Sequence, residues 1–153
     1  MEPYDGPAAS ALVRNLLIDL NERYGPGDFE AVDPITFAPP TGIFLVAWDG
    51  EVPAACGGFK RVNAGTAEVK RMYVAPAHRR QGLARGILTA LEERALKAGY
   101  QVLRLETGTL QPEAIELYRA AGFEVIPPFP PYAADPTSVC FAKELADHST
   151  FSA

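Results

Sequence analysis

Cysteine is scarce in this chain of 153 residues, with two in all, and tryptophan (one) and histidine (two) are scarcer than average. Cys56 and Cys140 both fall in apolar stretches that read as strands, which favours buried free thiols in a reducing compartment over a disulfide. Neither has a basic neighbour in sequence to turn its thiol into a nucleophile. Long hydrophobic runs are absent too, and nothing approaches the ~20 apolar residues that span a bilayer. The start, Met1-Glu2-Pro3-Tyr4-Asp5, lacks the basic residues and apolar stretch of a secretory signal, so the cytoplasm is the expected location. Basic residues are not in excess. Lys and Arg number 14 against 19 Asp and Glu, a formal net charge of −5, which argues against a nucleic-acid-binding surface but not against a small local anion site. No repeat or low-complexity tract is seen.

What is present reads as an ordinary soluble domain, 48% hydrophobic and 22% charged, of a length that suits one core and one domain over residues 1–153. A helix is expected from Ala8 to about Tyr24, with Leu12, Val13, Leu16, Leu17 and Leu20 as its apolar stripe, Asp5 and Pro7 as start signals and Gly25-Pro26 as a stop. Residues 25 to 40 read as an irregular, functional loop. Strands follow at Ile43 to Trp48, Val52 to Arg61 and Thr66 to Val74, with turns at Asp49-Gly50 and Asn63-Ala64-Gly65. Gly57-Gly58 marks a bulge or a close backbone approach. Strict alternation in the third strand puts Glu68, Lys70 and Met72 on one face and Val69, Arg71 and Tyr73 on the other. Neither face is uniformly apolar, so something besides core packing shapes that strand.

A second helix is expected from Gly82 to Lys97, buried through Ala84, Ile87, Leu88, Leu91 and Ala95. A strand over Gln101 to Thr107 comes next, then a short helix opened by Pro112 and closed by Gly122. Phe123 to Ile126 and Val139 to Leu145 are the last strands, on either side of a Pro-rich loop from Pro127 to Pro136, and the tail from Ala146 is expected to fray. A strand meander followed by alternating helix and strand indicates an α/β protein of the α+β type, with a mixed sheet and helices on its faces.

Between the third strand and the second helix lies Arg79-Arg80-Gln81-Gly82-Leu83-Ala84. The first turn of a helix leaves N–H groups unpaired and carries the positive end of the macrodipole, so a strand–loop–helix junction binds anions readily. Gly82 and Ala84 are small enough for a phosphate to approach, and Arg79, Arg80 and Arg85 add positive charge. A nucleotide P-loop would need Gly-Lys-Ser/Thr at this point, and a dinucleotide fold would need Gly-x-Gly-x-x-Gly near its first strand. Both are missing.

Val74-Ala75-Pro76-Ala77-His78-Arg79-Arg80-Gln81-Gly82-Leu83-Ala84 resembles the acetyl-CoA motif of the GCN5-related N-acetyltransferases (GNAT), Arg/Gln-x-x-Gly-x-Gly/Ala after a strand, matched at Arg79, Gly82 and Ala84. Ala114-Ile115-Glu116-Leu117-Tyr118-Arg119-Ala120-Ala121-Gly122-Phe123 resembles the later Ala-x-x-Leu-Tyr-x-x-x-Gly-Phe motif of the same family. The resemblance spans about Ile43 to Leu145 and fits the leading helix. It implies a mostly antiparallel central sheet flanked by helices, acetyl-CoA as co-substrate and no metal. It further implies Arg79, Arg80, Gln81, Gly82, Leu83, Ala84 and Arg85 around the pyrophosphate. The backbone of Met72, Tyr73 and Val74 would lie along the pantetheine arm, with one of its N–H groups polarising the thioester. Gln111 stands where the family often has Asn, a longer amide at a cofactor- or substrate-contacting position. A homodimer is compatible with the resemblance, and no residue pattern specifies one.

Acetyl transfer to an amine needs a neutral amine, a stabilised oxyanion and a proton for the departing thiolate. Tyr118, at the position of the family's catalytic tyrosine, is the expected acid, with packing on the buried helix face as its plain alternative. Glu68 is the expected base, reaching the amine through water, and its plain alternative is an ion pair with Lys70 or Arg71. Glu106 is the competing carboxylate, with hydrogen bonding within the sheet expected of it. His78 reads as a solvated loop residue. The loops Phe29 to Pro40 and Pro127 to Pro136 are expected as pocket walls, and Trp48 and the Phe129–Tyr132 segment are expected near the acceptor, with plain packing as their alternative. The leading expectation is an N-acetyltransferase for a small or amino-acid-like amine. A protein lysine or N-terminal acetyltransferase and a non-catalytic acyl-CoA-binding module are the alternatives.

Overall fold

Pro7 at the first helical position and Gly25 just past the last bound helix α1 (Pro7–Tyr24), which begins after Gly6 with no side-chain cap, so Asp5 does not serve as one. The structure is a computed structural model and describes residues 1–25 and 32–145. Pro26, Phe29 and the tail from Ala146 therefore lie outside the described residues. Strands β1 (Ile43–Asp49), β2 (Val52–Asn63) and β3 (Thr66–Val74) form the expected antiparallel meander. Helix α2 (Leu83–Lys97) leads to β4 (Val102–Gly108), and α3 (Pro112–Ala120) leads to β5 (Glu124–Ile126) and β6 (Ser138–Glu144). Short 3₁₀ turns at Pro34–Phe37, Pro76–His78 and Tyr132–Ala134 stand where the sequence reads as plain loop. The first is capped by Asp33, whose carboxylate accepts from Ile35 N–H at 3.1 Å.

The six strands make one sheet in the order β1-β2-β3-β4-β6-β5, and every pair is antiparallel except β3 with β4. Alternation along β1 divides the core. Ile43 and Leu45 join the cluster that Ile87, Leu88, Leu91 and Ala95 of α2 build on one face, and Tyr118 of α3 belongs to the same cluster. Phe44 joins Ala9, Leu12, Val13 and Leu16 of α1 on the other. Leu88 and Leu91 are fully buried, each contributing roughly 2 kcal/mol of transfer free energy.

Two irregularities in β3 position everything that follows. Its pairing with β4 stops after three rungs, the last being Glu68 with Arg104. Beyond it the two parallel strands part, and no further rung with β4 satisfies β3. The second is a bulge. On the β2 side Tyr73 faces Cys56 and Lys70 faces Gly58, so Arg71 and Met72 together oppose Gly57, and Arg71 takes a left-handed φ of 63°. A bulge of this kind shifts the side-chain alternation by one. Val69 therefore packs with α2, while Tyr73, also odd-numbered, packs with α1. Met72 and Val74 pack on the α2 side. The strict alternation expected from the sequence is thus corrected: Met72 does not share a face with Glu68 and Lys70. Gly57 fits the expected close approach, because a Cβ there would run into the Met72 sulfur and reach Ile87.

Candidate active site

Where β3 and β4 part, a cleft of about 1790 Å³ opens between them. Of the catalytic and cofactor-binding residues expected from sequence, all but Gln81 line it, from Glu68, Met72, Tyr73 and Val74 through Arg79 to Arg85 and on to Gln111 and Tyr118. Gln81 is exposed and stands outside the lining.

At one end is the N-terminus of α2. Gly82 is its N-cap at φ 76°, a left-handed conformation that favours glycine, and no side chain caps the helix. Gly86 N–H already bonds back to the Gly82 carbonyl at 3.0 Å, which leaves the first-turn N–H groups of Leu83, Ala84 and Arg85 for a ligand. Arg80 is also left-handed, at φ 65°. Arg80 and Arg85 are exposed beside this terminus, whereas Arg79 folds back, its Nε donating to the Val74 carbonyl at 3.1 Å and its guanidinium 5.9 Å from the Tyr73 ring. Arg79 therefore ties the loop to the strand end, and that carbonyl is already occupied. No acidic residue sits in the first turn of α2, so the terminus is an open anion site.

Tyr118 is buried against Phe123 and Phe141, with ring centroids 6.0 Å apart in each case. It packs in the core, as its plain alternative expects, and it also lines the cleft. Burial, and secondarily the negative charge of Glu106, push its phenol well above its ordinary 10.0. It stays protonated at any physiological pH.

Glu68 is 4% exposed, and its carboxylate is heavily engaged. Arg104 Nε donates to Oε1 at 3.1 Å, Arg104 Nη2 stands 3.1 Å from the same oxygen, and Lys70 Nζ lies 3.6 Å from Oε2. Those two cations in turn grip the Pro-rich loop. Arg104 lies 3.8 Å over the Phe129 ring, and Lys70 donates to the Tyr132 hydroxyl at 2.9 Å. Glu106 is less encumbered, accepting one hydrogen bond from Ser138 Oγ at 2.7 Å. Burial raises its carboxyl above the ordinary range, although the Ser138 hydrogen bond and the Lys70 charge pull the other way.

The far wall is latched to α1. Leu110 N–H donates to the Tyr24 hydroxyl at 3.1 Å, the Tyr24 hydroxyl donates to Gln111 Oε1 at 3.3 Å, and Arg23 Nη1 donates to the Leu110 carbonyl at 3.0 Å. Gln111 is thus fixed by side chains on the wall of the cleft. His78 is not the solvated residue expected of it. Its side chain is 14% exposed, Nε2 lies 3.1 Å from Asp49 Oδ2, and buried Nδ1 has no partner among the described residues. Trp48, expected near the acceptor, is 47% exposed and is not part of the cleft wall. Pro130, Pro131 and Tyr132 do line it. Sequence reasoning passed over Arg104 altogether. The signal was there in β4, where Leu103 and Leu105 alternate with Arg104 and Glu106 and so put two opposite charges side by side on one face of an interior strand.

The model of the Acetyltransferase (GNAT) family matches residues 10–123. The chain belongs to that family. This GNAT chain is 37% identical over 139 residues to the IAA acetyltransferase of Azospirillum brasilense, covering 90% of this chain and 91% of that one. A candidate acyl-CoA N-acyltransferase from Klebsiella pneumoniae superimposes with a TM-score of 0.80 at 32% identity, over 95% of this chain and 94% of that one. The GNAT fold is shared with a family acetyltransferase of Elizabethkingia anophelis solved with acetyl-CoA bound, at a TM-score of 0.61 and 19% identity, over 69% of this chain and 77% of that one. Among the described residues, no helix is long and apolar enough to cross a membrane and no group of three His, Cys, Asp or Glu could hold a metal ion.

Proposed function

We propose that this GNAT chain transfers the acetyl group of acetyl-CoA to the primary amine of a small or amino-acid-like acceptor by direct attack in a ternary complex. The observation that carries this reading is the parting of β3 and β4 after Glu68 and Arg104, with an uncapped helix N-terminus at one end of the gap and Tyr118 in its wall. The pyrophosphate sits on the N–H groups of Leu83, Ala84 and Arg85, flanked by Arg80 and Arg85. The pantetheine arm lies along the unpaired edge of Met72 to Val74 as an added strand, and a backbone N–H of that edge polarises the thioester carbonyl.

The amine nitrogen attacks the carbonyl carbon, the new C–N bond forms, and the C–S bond breaks. The attacking amine gives up a proton to the base, and the sulfur departs as a thiolate that takes its proton from solvent after release. Glu68 is the base expected from sequence, but its carboxylate already serves two cations. Glu106 takes the proton in this reading, because its carboxyl is raised by burial and carries a single hydrogen bond. Tyr118 supplies a hydrogen bond to the departing thiolate. With its phenol raised so far, full proton transfer is uphill, and stabilisation of the sulfur charge is its main contribution. The loop held by Arg104 and Lys70 walls the acceptor side, which favours a small acceptor over a protein segment.

Thiol release from acetyl-CoA, followed over a panel of amines, tests the reading. Turnover with at least one small amine is expected, together with calorimetric binding of acetyl-CoA that is lost in Gly82→Glu. Acetyl-CoA binding without turnover on any amine or peptide would leave a non-catalytic binding module.

A further inference from the structure

The acceptor side of the cleft holds a guanidinium without a counter-charge among the described residues. Away from the α2 terminus the basic residues lining the cleft are Arg23, Lys60, Lys70, Arg71 and Arg104. Arg23 is paired with Asp19 and Glu113, and Lys70 and Arg104 share Glu68. Lys60 stands directly across the β2–β3 ladder from Glu68. Arg71, like Lys60, makes no ion pair among the described residues, but unlike Lys60 it has no carboxylate opposite it in the ladder. The backbone opposite it is Gly57.

Its placement is also built rather than incidental. Arg71 is the left-handed residue of the β3 bulge, and a bulge re-aims a side chain. Its Nε donates to the Tyr4 hydroxyl at 3.4 Å. Tyr4 is itself fixed, with ring centroids 4.8 Å from Phe37 and 5.1 Å from Phe44. The guanidinium is therefore anchored through one nitrogen, and its two terminal nitrogens have no acidic partner among the described residues. A planar fork held in this way matches a carboxylate bidentately. A half-buried, uncompensated cation is costly to keep without a ligand.

We infer that Arg71 binds a carboxylate of the acceptor, so that the acceptor class is a small aminocarboxylate, an amino acid or a close analogue. This rests on the proposed acetyl transfer and narrows its substrate. The two charges of such an acceptor meet opposite partners in one cleft, the ammonium at Glu106 and the carboxylate at Arg71.

Thiol-release kinetics with matched acceptors test this, each amino acid being compared with its carboxamide and its decarboxylated amine. A charge-assisted bidentate contact predicts about 10- to 100-fold higher kcat/KM for the acid form. Arg71→Asn, in which Asn accepts the left-handed backbone, should erase that preference by raising the acceptor KM while leaving the KM for acetyl-CoA unchanged. Equal use of acid and carboxamide by the wild type would overturn the inference, as would an Arg71→Asn variant that slows both forms alike. Calorimetry with the desamino acids, which carry the carboxylate but cannot be acetylated, separates this inference from the catalytic proposal. Binding to the wild type that disappears in Arg71→Asn supports the carboxylate site even where no turnover is found. Binding equal in both proteins, or absent from both, rejects it.

Discussion

Glu68 and Arg104 form the last rung between the parallel strands, and two guanidinium nitrogens of Arg104 each lie 3.1 Å from one Glu68 oxygen. The pair sits at the apex of the cleft. Below it the strands are zipped, and above it they part and expose the β3 edge. The same pair reaches the acceptor wall, because Arg104 packs on Phe129 and Lys70, also on Glu68, bonds Tyr132.

Glu68 should therefore behave as a positioning residue and Glu106 as the base. Glu68→Gln leaves the half-buried Arg104 guanidinium short of its counter-charge, which should cost about 1–3 kcal/mol of stability. It should raise the acceptor KM and preserve the acid-side limb of the kcat/KM profile. Glu106→Gln should remove that limb and lower kcat by about 10²- to 10⁴-fold. The limb itself should lie above the ordinary carboxylate range, since burial raises Glu106 and activity falls as the pH drops through its pKa. If Glu68→Gln abolished the limb and Glu106→Gln kept it, the two roles would have to be exchanged.

Tyr118→Phe should lower kcat about 10²-fold or more and leave acetyl-CoA affinity unchanged, as the phenol acts on sulfur that is charged only after the C–S bond weakens. The defect should shrink with acetyl thioesters of more acidic thiols, which leave without help. A defect of constant size across such a thioester series would point to packing rather than to sulfur stabilisation.

Much of this architecture was legible in the residue order. The apolar stripe of α1, the strand meander and the Gly82 helix start follow from local rules of spacing, turn chemistry and capping, and these act over a few residues. The bulge at Arg71 was not legible. Gly57-Gly58 marked the place, but the extra residue lies on the partner strand, where an arginine gives no sign of a left-handed conformation. That single shift moved Met72 to the other face from Glu68. The pairing of Glu68 with Arg104 was out of reach for another reason, since it joins residues 36 apart through a parallel contact that depends on where α2 delivers the chain. His78 reads as a loop residue because its partner, Asp49, comes from a distant hairpin.

Gly108 is held small by Tyr24. A Cβ on Gly108 would fall on the Tyr24 phenol, the group that also bonds Leu110 and Gln111. Gly108→Ala should displace Tyr24, cost about 1–3 kcal/mol in denaturant unfolding, and loosen Gln111 enough to weaken turnover. Tyr24→Leu should be destabilising by itself, yet the double variant should lose less than the sum of the two. Strict additivity would mean that Tyr24 is not what excludes a side chain at 108.

Cys56 gives the fold an alkaline weak point. Burial pushes its thiol from an ordinary 9.0 up to about 12, only partly opposed by the positive charge of Arg71. The folded state therefore holds this proton more tightly than the unfolded chain does. That contribution is fully present below pH 9 and is lost as pH rises towards the folded value, because the unfolded thiol ionises first. Tyr118 acts in the same direction from its own ordinary 10.0 upward. Urea unfolding of the wild type should accordingly show stability falling steadily above pH 9. Cys56→Ala should start less stable, from the cavity it leaves, and should decline less steeply between pH 9 and 10. Parallel slopes for the two proteins over that interval would place the alkaline sensitivity elsewhere, in Cys140 or Tyr118, whose side chains burial also raises.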